Sequence, residues 1–327
     1  GIGLSPLIRD LSDSDHGQSP PQASGPGIPG MTENTDHSTT GPGRDARAGR
    51  PRRRRIRLSP LGWAALLIVS IVVFMALLGP AIAPYSEEEL LPDGSFAPIS
   101  ATHWLGTDYI GRDIFSRILY GARVTLGLAF LATVLAFTVG TFFGFTAATS
   151  SPLVDTVISR FYDIVLSIPS IMLALVAIAA LGTSATVLVG TIGLIYSANA
   201  FRIARALAMD IRVMDFVEAA RARGEGRLWI VTREIMPNAI GPLSSELGLR
   251  LVFSILAISG LSFLGLGVQP PTAGWGVMVR ENMTGLMFGS PAALAPAFAI
   301  ALLTISINLI VDEMSSKHNR NVSGPLR

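Results

Sequence analysis

The chain of 327 residues is 50% hydrophobic and 15% charged, a composition typical of membrane proteins rather than soluble domains. It has no cysteine, which excludes structural disulfides and thiolate metal sites, and its net charge of +2 is too small to indicate nucleic-acid binding. The single lysine, Lys317, lies between Ser316 and His318, which excludes the Gly-Lys-Ser/Thr loop of P-loop ATPases. We expect no metal site, because metal-ligand spacing is lacking among the four histidines: His16, His37, His103 and His318.

The chain begins with a polar region that lacks hydrophobic periodicity. Residues 1–50 are rich in Gly, Pro, Ser, Thr and Asp, a composition typical of disorder. Because Gly1 is not a natural start, we take Met31 as a candidate start of the native chain. The basic run PRRRRIR at 51–57 directly precedes an apolar stretch, so the positive-inside rule explains it better than a nucleic-acid patch does. We predict a disordered cytoplasmic tail over residues 1–58.

Six apolar stretches are long enough to cross a bilayer, which requires about 20 mostly apolar residues and at least roughly 17. The second contains Gly140 and Gly144, a spacing that permits close helix contact. The third contains Pro169, which we expect a transmembrane helix to tolerate because neighbouring groups can satisfy the freed carbonyl. The predicted spans are residues 61–83, about 124–148, about 163–182, about 185–201, about 244–267 and about 291–311.

The distribution of arginines predicts the orientation of these spans. The basic run before the first span places the N-terminus in the cytoplasm, and six spans return the C-terminus there. The loop between the fourth and fifth spans is then cytoplasmic, and it holds seven arginines. The loop between the first two spans faces outward despite Arg112, Arg117 and Arg123, which weigh against this assignment. The predicted boundaries are a transmembrane domain at 59–317, with its cytoplasmic loop at about 202–243, and a cytoplasmic tail at 318–327.

The segment EAARARGEGRLWIVTREIMPNAIGPL, which begins at Glu218, predicts two short helices within the cytoplasmic loop. The first contains good helix formers, is capped by Asp215 or a neighbour, and ends at Gly224. The second covers about Arg227–Met236 and is stopped by Pro237. Composition alone equally allows a solvated basic loop. An apolar stripe along the second helix favours docking to a cytoplasmic partner instead, and it contains Leu228, Ile230, Val231 and Ile235.

The spacing within this segment resembles the EAA signature of bacterial ABC importer permeases. The match runs from Glu218-Ala219-Ala220, through Gly224, to Ile235-Met236-Pro237-Asn238, with departures at Glu234 and Met236. In that family the short helix couples the permease to a cytoplasmic ATPase. The resemblance therefore implies an ATPase-coupling role for seven residues: Glu218, Ala219, Ala220, Arg221, Gly224, Pro237 and Asn238.

Further stretches resemble the C-type permease subunit of dipeptide and oligopeptide importers. They are HWLGTDYIGRDIFSRILYGARVTL at 103–126 and LSFLGLGVQPPTAGWG at 261–276. Four residues at the entry into the third span also match: Asp155, Arg160, Asp163 and Pro169. The resemblance covers about residues 60–317. It implies an all-α integral membrane protein with six transmembrane helices in the type I ABC importer permease fold. It also implies an outer gate and a surface for the binding protein, at Gly106, Thr107, Asp108, Gly111, Arg112 and Asp113.

The residues of GTDYIGRDIFSRI also allow a simpler interpretation, a capped amphipathic helix at the outer membrane surface. Thr107 or Asp108 would cap the helix, and Asp113 and Arg117 would form an i,i+4 surface ion pair. Gly106 and Gly111 would allow tight turns. In the second outward loop, Trp275 is expected to be an interfacial anchor.

Glu246 and Arg250 place two charges in the first half of the fifth span, where close relatives are generally apolar at the second position. Charge within a membrane is costly and indicates function by default. Their i,i+4 spacing allows them to pair on one helix face. We favour a structural pair near the cytoplasmic end of the helix over a pore-lining role. Ile258 is a second departure, because many relatives have an acidic residue there.

The resemblance implies a permease subunit, rather than an enzyme, of an ATP-driven peptide importer in the bacterial plasma membrane. Its implied partners are a homologous B-type permease in a heterodimer, two ABC ATPase subunits, an extracytoplasmic binding protein, membrane lipid and the peptide. ATP and magnesium would bind the ATPases, and no cofactor would bind this chain. Transport of nickel or another small solute by the same fold remains open. A secondary transporter is the alternative of a different class, although only Glu246 and Arg250 hint at its intramembrane relays.

Overall fold

The computed structural model describes residues 59–322, with side chains described through residue 315, and the regular elements in this range are helices. The predicted tail at 1–58 lies outside the described residues. A π turn at Val231–Ile235 joins α7 to α8, and a 3-10 turn at Met283–Phe288 follows α9. The α-helices are α1 (Pro60–Ile82), α2 (Ile114–Thr149), α3 (Pro152–Ser167), α4 (Ser170–Leu181), α5 (Ala185–Ile211), α6 (Asp215–Ala222), α7 (Arg227–Ile230), α8 (Met236–Phe263), α9 (Trp275–Glu281) and α10 (Leu294–Val322).

The described helices supply the membrane spans that the apolar stretches predict. Five are long and apolar enough to cross a bilayer: α1, α2, α5, the continuous helix Arg227–Phe263, and α10. The sixth stretch is a bent pair of helices, α3 and α4. Because α10 continues to Val322, the predicted domain boundary at 317 falls inside a helix.

The prediction of one continuous helix through Pro169 is wrong. Helix α3 ends at Ser167, α4 begins at Ser170, and the two axes differ by 89°. Ile168 between them is extended, with φ −97° and ψ 131°. A proline ring crowds the backbone of the preceding residue out of the helical region, and its nitrogen donates no hydrogen bond. With these constraints the chain turns instead of continuing as a kinked helix.

Helices α2 and α5 form the central pair of the bundle, and two glycines set their separation. A Cβ added at Gly140 would lie 2.5 Å from the carbonyl oxygen of Ser197, and one at Gly144 would lie 2.8 Å from Cβ of Ala204. A real Cβ atom essentially never lies this close to another atom, so larger residues would force the helices apart. The predicted close helix contact at Gly140 and Gly144 is confirmed.

The bundle has two ends that carry different connections. Helix α2 has 36 residues and is about 54 Å long at 1.5 Å per residue, longer than a hydrocarbon core of about 30 Å. It starts beside α9, where Arg117 contacts Glu281, and it ends beside α7, where Ser150 contacts Arg227. We call the first the α9 end (residues 83–113 and 264–293) and the second the α6 end (residues 148–155 and 212–238).

Candidate coupling surface and α9-end charge network

Helix α6 is anchored to the α6 end through one face. Val217 and Ala220 are fully buried there and join an apolar cluster with residues of α2, α5 and the helix that follows. Asp215 is the first residue of α6, and Met214 precedes it as an N-cap without a side-chain hydrogen bond. Of the predicted caps, Asp215 or a neighbour, the neighbour Met214 occupies the N-cap position, and the charge of Asp215 suits the first turn.

Gly224 ends α6, as predicted. Its φ of +84° lies in the left-handed region, and no atom would meet an added Cβ. Its N–H donates to the carbonyl of Arg221 at 2.9 Å, and the N–H of Glu225 donates to that of Ala220 at 3.2 Å. These bonds satisfy carbonyls that a helix end otherwise leaves unpaired.

The predicted coupling residues divide into an exposed set and a buried anchor. Ala220 faces the core, so its role here is to seat α6 on the bundle. The apolar stripe predicted for the next helix is partly wrong, because Ile230 and Ile235 are buried whereas the Leu228 side chain is 78% exposed. The exposed members of the coupling set are Glu218, Ala219, Arg221, Gly224, Pro237 and Asn238.

The prediction that Pro237 stops the second helix is wrong. The chain stays helical from Arg227 to Phe263, and a π turn at Val231–Ile235 directly precedes the proline. Pro237 occupies the first turn of α8, where its missing N–H and its ring are tolerated beside a widened turn. Asn238 donates from its side-chain nitrogen to the carbonyl of Glu234 at 2.6 Å. The helix that packs beneath α6 is therefore continuous with the fifth span.

Glu234, a departure from the family pattern, contacts the end of α6 within this chain. Its Oε1 lies 3.9 Å from Nη2 of Arg223, whose guanidinium also lies 6.0 Å from the ring centre of Trp229. The Arg223 side chain is 55% exposed, so solvent weakens this pair. Glu234 thus helps to align α6 with the helix below it.

At the α9 end, two arginines and two acids form a buried network. Arg117 of α2 donates to Asp108 at 2.5 Å and to Glu281 at 3.3 Å. Arg112 donates to the same two carboxylates at 2.6 and 3.2 Å. All four side chains are at most 6% exposed. Buried charges persist only when paired, so the network ties the 83–113 connection to α2 and α9.

The polar residues around this network differ from their predicted roles. Asp113 does not pair with Arg117; it caps α2 by accepting from the N–H of Ser116 at 2.7 Å, and its other oxygen lies 3.2 Å from Nδ1 of His103. The i,i+4 prediction fails because Asp113 precedes the helix, while Arg117 points into the network. Asp108 accepts from the N–H of Arg112 at 2.9 Å and caps no helix.

Thr107 and the two glycines form a folded connection rather than an amphipathic surface helix. Thr107 accepts from the N–H of Ala97 at 2.8 Å and donates to the carbonyl of Gly94 at 2.7 Å. Gly106 and Gly111 have φ of +76° and +91°, so the predicted tight turns are confirmed. The simpler interpretation as a surface helix is therefore wrong. All six residues assigned to the outer gate are buried: Gly106, Thr107, Asp108, Gly111, Arg112 and Asp113.

Trp275 is a core residue, so the expectation of an interfacial anchor is wrong. Its side chain is fully buried, and its indole nitrogen donates to the carbonyl of Ile118 at 3.1 Å. Its backbone N–H donates to Thr125 at 3.0 Å. A Cβ added at Gly121 would lie 2.8 Å from the indole ring, so that glycine makes room for it. The tryptophan fastens α9 to α2.

Glu246 and Arg250 form the predicted ion pair on one face of α8. Nε of Arg250 donates directly to Oε1 of Glu246, and both residues are buried. The guanidinium also lies 5.4 Å from the ring centre of Phe253. Glu246 borders a cavity of about 240 Å³ together with Ile203 of α5 and Ser315 of α10. The pair therefore lies where three helices meet.

One ion pair at the α6 end was not anticipated from the sequence. Arg205 of α5 donates twice to Asp155 of α3, with both distances 2.6 Å. Asp155 stood out in the sequence, but its partner is 50 residues away and no local signal points to it. The bidentate geometry joins the start of α3 to α5.

Together, these features define a class of protein: a helical membrane component with an anchored short helix exposed at one end. Among the described residues, no group of three His, Asp or Glu side chains is arranged to hold a metal ion. The family model described as "Binding-protein-dependent transport system inner membrane component" matches residues 140–322. A second model, "N-terminal TM domain of oligopeptide transport permease C", matches residues 50–98. The chain belongs to the family of binding-protein-dependent transport system inner membrane components.

Several curated relatives cover most of the chain. A dipeptide transport system permease protein of Alkalihalophilus pseudofirmus is 33% identical over 259 residues, 79% of this chain and 85% of the relative. A glutathione transport system permease protein of Escherichia coli O6:K15:H31 is 32% identical over 273 residues, 83% of this chain and 90% of the relative. The dipeptide permease of Bacillus subtilis is 30% identical over 260 residues, 79% of this chain and 81% of the relative.

The predicted class of protein is thereby confirmed. The chain is a multi-pass permease subunit of an ABC transporter of the inner membrane, and its family membership identifies a membrane component rather than an enzyme.

Proposed function

We propose that this chain forms half of the pore of an ATP-driven importer of dipeptides or oligopeptides. The substrate class is supported by relatives named for dipeptide and glutathione transport. The coupling role depends above all on one observation: α6 buries Val217 and Ala220 while Glu218, Ala219 and Arg221 stay exposed. A short helix held from one side and free on the other is suited to receive a partner.

In this proposal, the α6 end faces the cytoplasm and both termini lie there. The α6 end holds arginines of the 202–233 loop, which is the side that the positive-inside rule favours. Arg112 and Arg117 of the outward loop are neutralised by Asp108 and Glu281. Under the positive-inside rule, these two arginines therefore argue only weakly against an outward position of the loop. The α9 end then faces outward.

The exposed face of α6 would dock on a cytoplasmic ATPase. Glu218, Ala219, Arg221 and Gly224 would contact it, with Pro237 and Asn238 nearby. Movement of α6 would reach the membrane through Ile230 and Ile235, which pack beneath it and belong to the helix that runs to Phe263. Coupling of this kind requires the permease states to differ in affinity for the ATPase and for the partner outside.

The assembly would contain a homologous B-type permease, two ATPase subunits and an extracytoplasmic binding protein. ATP and magnesium would bind the ATPases, because this sequence lacks the Gly-Lys-Ser/Thr loop. The buried gate residues would shape the outward surface rather than touch the binding protein. Trp104 and Ile110, which are 60% and 43% exposed in the same segment, would supply contacts there.

The coupling proposal is tested by replacing Gly224 with valine. Valine at φ +84° strains the backbone and distorts the end of α6. The matched control is Gly289→Val at the α9 end, where φ is +69° and an added Cβ likewise meets nothing. The measurement is ATP hydrolysis by the reconstituted complex, stimulated by loaded binding protein, together with ATPase co-purification.

We expect Gly224→Val to lose most of the stimulated hydrolysis, and Gly289→Val to keep its ATPase bound. Full stimulation in Gly224→Val would reject the coupling role. The substrate class is tested separately, by titrating the partner binding protein with a panel of dipeptides, longer peptides and Ni²⁺. Saturable binding of Ni²⁺ without binding of any peptide would favour the small-solute alternative.

A further inference from the structure

Two cavities at the α6 end meet at a shared rim. One is polar, encloses about 480 Å³ and is bordered by Arg212, Arg221 and Arg227. The other is mostly apolar, encloses about 660 Å³ and runs along α2, bordered by side chains such as Phe137 and Phe142. Both include Thr149, Ser150 and Arg227. A single ligand with a charged head and an apolar tail can therefore occupy both.

The polar cavity is suited to an anion. Within residues 59–315, Arg212, Arg221 and Arg227 form no ion pair with a carboxylate. Arg212 donates to the carbonyl of Ala148 at 2.5 Å, and Arg227 donates to the hydroxyl of Ser150 at 3.3 Å. These bonds hold the two guanidinium groups at the cavity wall, and each guanidinium has five N–H donors. A phosphate at the rim would accept from the donors that remain.

The apolar cavity has the length and openness that an acyl chain requires. From Phe137 to Ser150, helix α2 advances by about 20 Å, compared with about 15 Å for half of the hydrocarbon core. Phe142 and Leu228 on its walls are 64% and 78% exposed, so the groove opens outward rather than into the helical core. Its charged rim lies at the end of the helix, where the lipid headgroups would be.

We propose that this composite groove binds one anionic phospholipid, with its phosphate on Arg212 and Arg227 and an acyl chain along α2. Basic pockets between transmembrane helices are a recognised way to hold such headgroups. An acidic side chain of an ATPase would satisfy the arginines but not fill an apolar groove that runs about 20 Å along the helix. A helix of a second permease could fill the groove, and the test below treats that as a contrary outcome. The bound lipid links α2 to α7 and the π turn, next to the anchored face of α6.

Two variants test the head and the tail of this site separately. Arg227→Gln removes the charge that both cavities share. Thr146→Phe fills the apolar groove, because Thr146 lies on its wall. The control Arg233→Gln removes an exposed charge from the same end of the molecule, at a residue that borders neither cavity.

The transporter complex, purified through a tag on this chain, is titrated with phosphatidylglycerol against phosphatidylcholine, and bound lipid is counted by native mass spectrometry. We expect Arg227→Gln to weaken phosphatidylglycerol retention on the order of tenfold, the scale of one charge-assisted hydrogen bond. Thr146→Phe should lower retention of both lipids, and Arg233→Gln should match the unaltered chain.

Three outcomes would overturn the lipid site. One is equal loss of phosphatidylglycerol from Arg227→Gln and Arg233→Gln. Another is full lipid retention in Arg227→Gln with loss of the co-purified ATPase, which would make the polar cavity an ATPase contact. The third is full lipid retention in Thr146→Phe with loss of the second permease, which would make the groove a subunit interface.

Discussion

The two ends of the bundle hold their charges in opposite ways. At the α9 end, the side chains of Asp108, Arg112, Arg117 and Glu281 are buried and form ion pairs with one another. At the α6 end, arginines border an open cavity, and Arg223 is paired only loosely, at 3.9 Å. A buried network of ion pairs fixes the shape of a surface, whereas unpaired charges at a rim remain available to bind.

Breaking the α9-end network should have the largest effect. Arg117→Ala leaves Asp108 and Glu281 buried with one guanidinium between them, which should destabilise the protein by about 3–5 kcal/mol. The control is Arg123→Ala, an exposed arginine of the same helix. Thermal unfolding of the detergent-purified complex measures both. Equal midpoints for the two variants would show that the buried network contributes no more stability than an exposed arginine.

Breaking the Glu246–Arg250 pair of α8 should have a smaller effect than breaking the α9-end network. Arg250→Leu leaves Glu246 buried without its partner and should cost about 1–3 kcal/mol. The double change Glu246→Leu with Arg250→Leu should recover most of that stability, because an apolar pair replaces a buried ionic one. Uptake per assembled complex is measured alongside. If the double variant is stable yet fails to transport, the pair lines the pore.

At the α6 end, the bidentate pair should contribute less than the buried network. Arg205 and Asp155 are 30% and 21% exposed, so Asp155→Asn should cost about 1 kcal/mol after solvent screening. The matched control is Asp163→Asn, whose partner Arg160 lies 4.0 Å away on the exposed surface. Midpoints should be compared at low and high salt. A larger loss for Asp163→Asn would contradict the ranking by exposure.

The smallest effect is expected at Glu234. Its long contact with the exposed Arg223 should contribute no more than about 0.5 kcal/mol. Glu234→Ala should therefore unfold at nearly the same temperature as the unaltered chain. ATPase co-purification is the second readout, and Glu234→Gln is its control. A loss of several degrees in Glu234→Ala would mean that α6 is held more tightly by this contact than its geometry indicates.

Sequence reasoning succeeded where the physical cause is local. The length of apolar stretches located the spans. Gly140 and Gly144 predicted close packing from their spacing alone, and Gly224 predicted the end of α6 from its conformational freedom. The EAA segment indicated the class of protein in the same way, because the motif is contiguous in the chain.

It failed where the outcome depends on partners far along the chain. Arg117 was paired with Asp113, four residues away, whereas its partners are Asp108 and Glu281, the latter 164 residues away. Trp275 was expected at the membrane interface, but it is fully buried and its indole donates to the carbonyl of Ile118 in α2. Local rules predict interactions between residues that are close in sequence. They do not predict which distant helix will bury a given side chain.

The predicted effects of Pro169 and Pro237 on their helices are both wrong. Pro169 was expected to be tolerated inside a helix that in fact breaks, and Pro237 was expected to end a helix that in fact continues. The difference lies in the preceding backbone, since Ile168 is extended while a π turn precedes Pro237. Pro169 follows an extended residue, whereas Pro237 lies in the first turn of α8, where a proline is tolerated, so its position relative to the helix decides the outcome.

The burial of the charged and turn-forming residues of GTDYIGRD has a consequence for how such a transporter can diversify. Its charged and turn-forming residues contact one another, while Trp104 and Ile110 project from the same segment. A change at an exposed position alters what the surface offers to another protein without disturbing the salt bridges beneath. A change at one of the buried residues would instead shift the backbone that carries the exposed positions. In the proposed orientation, single substitutions at these exposed positions would change the contacts with a binding protein while the buried motif stays intact.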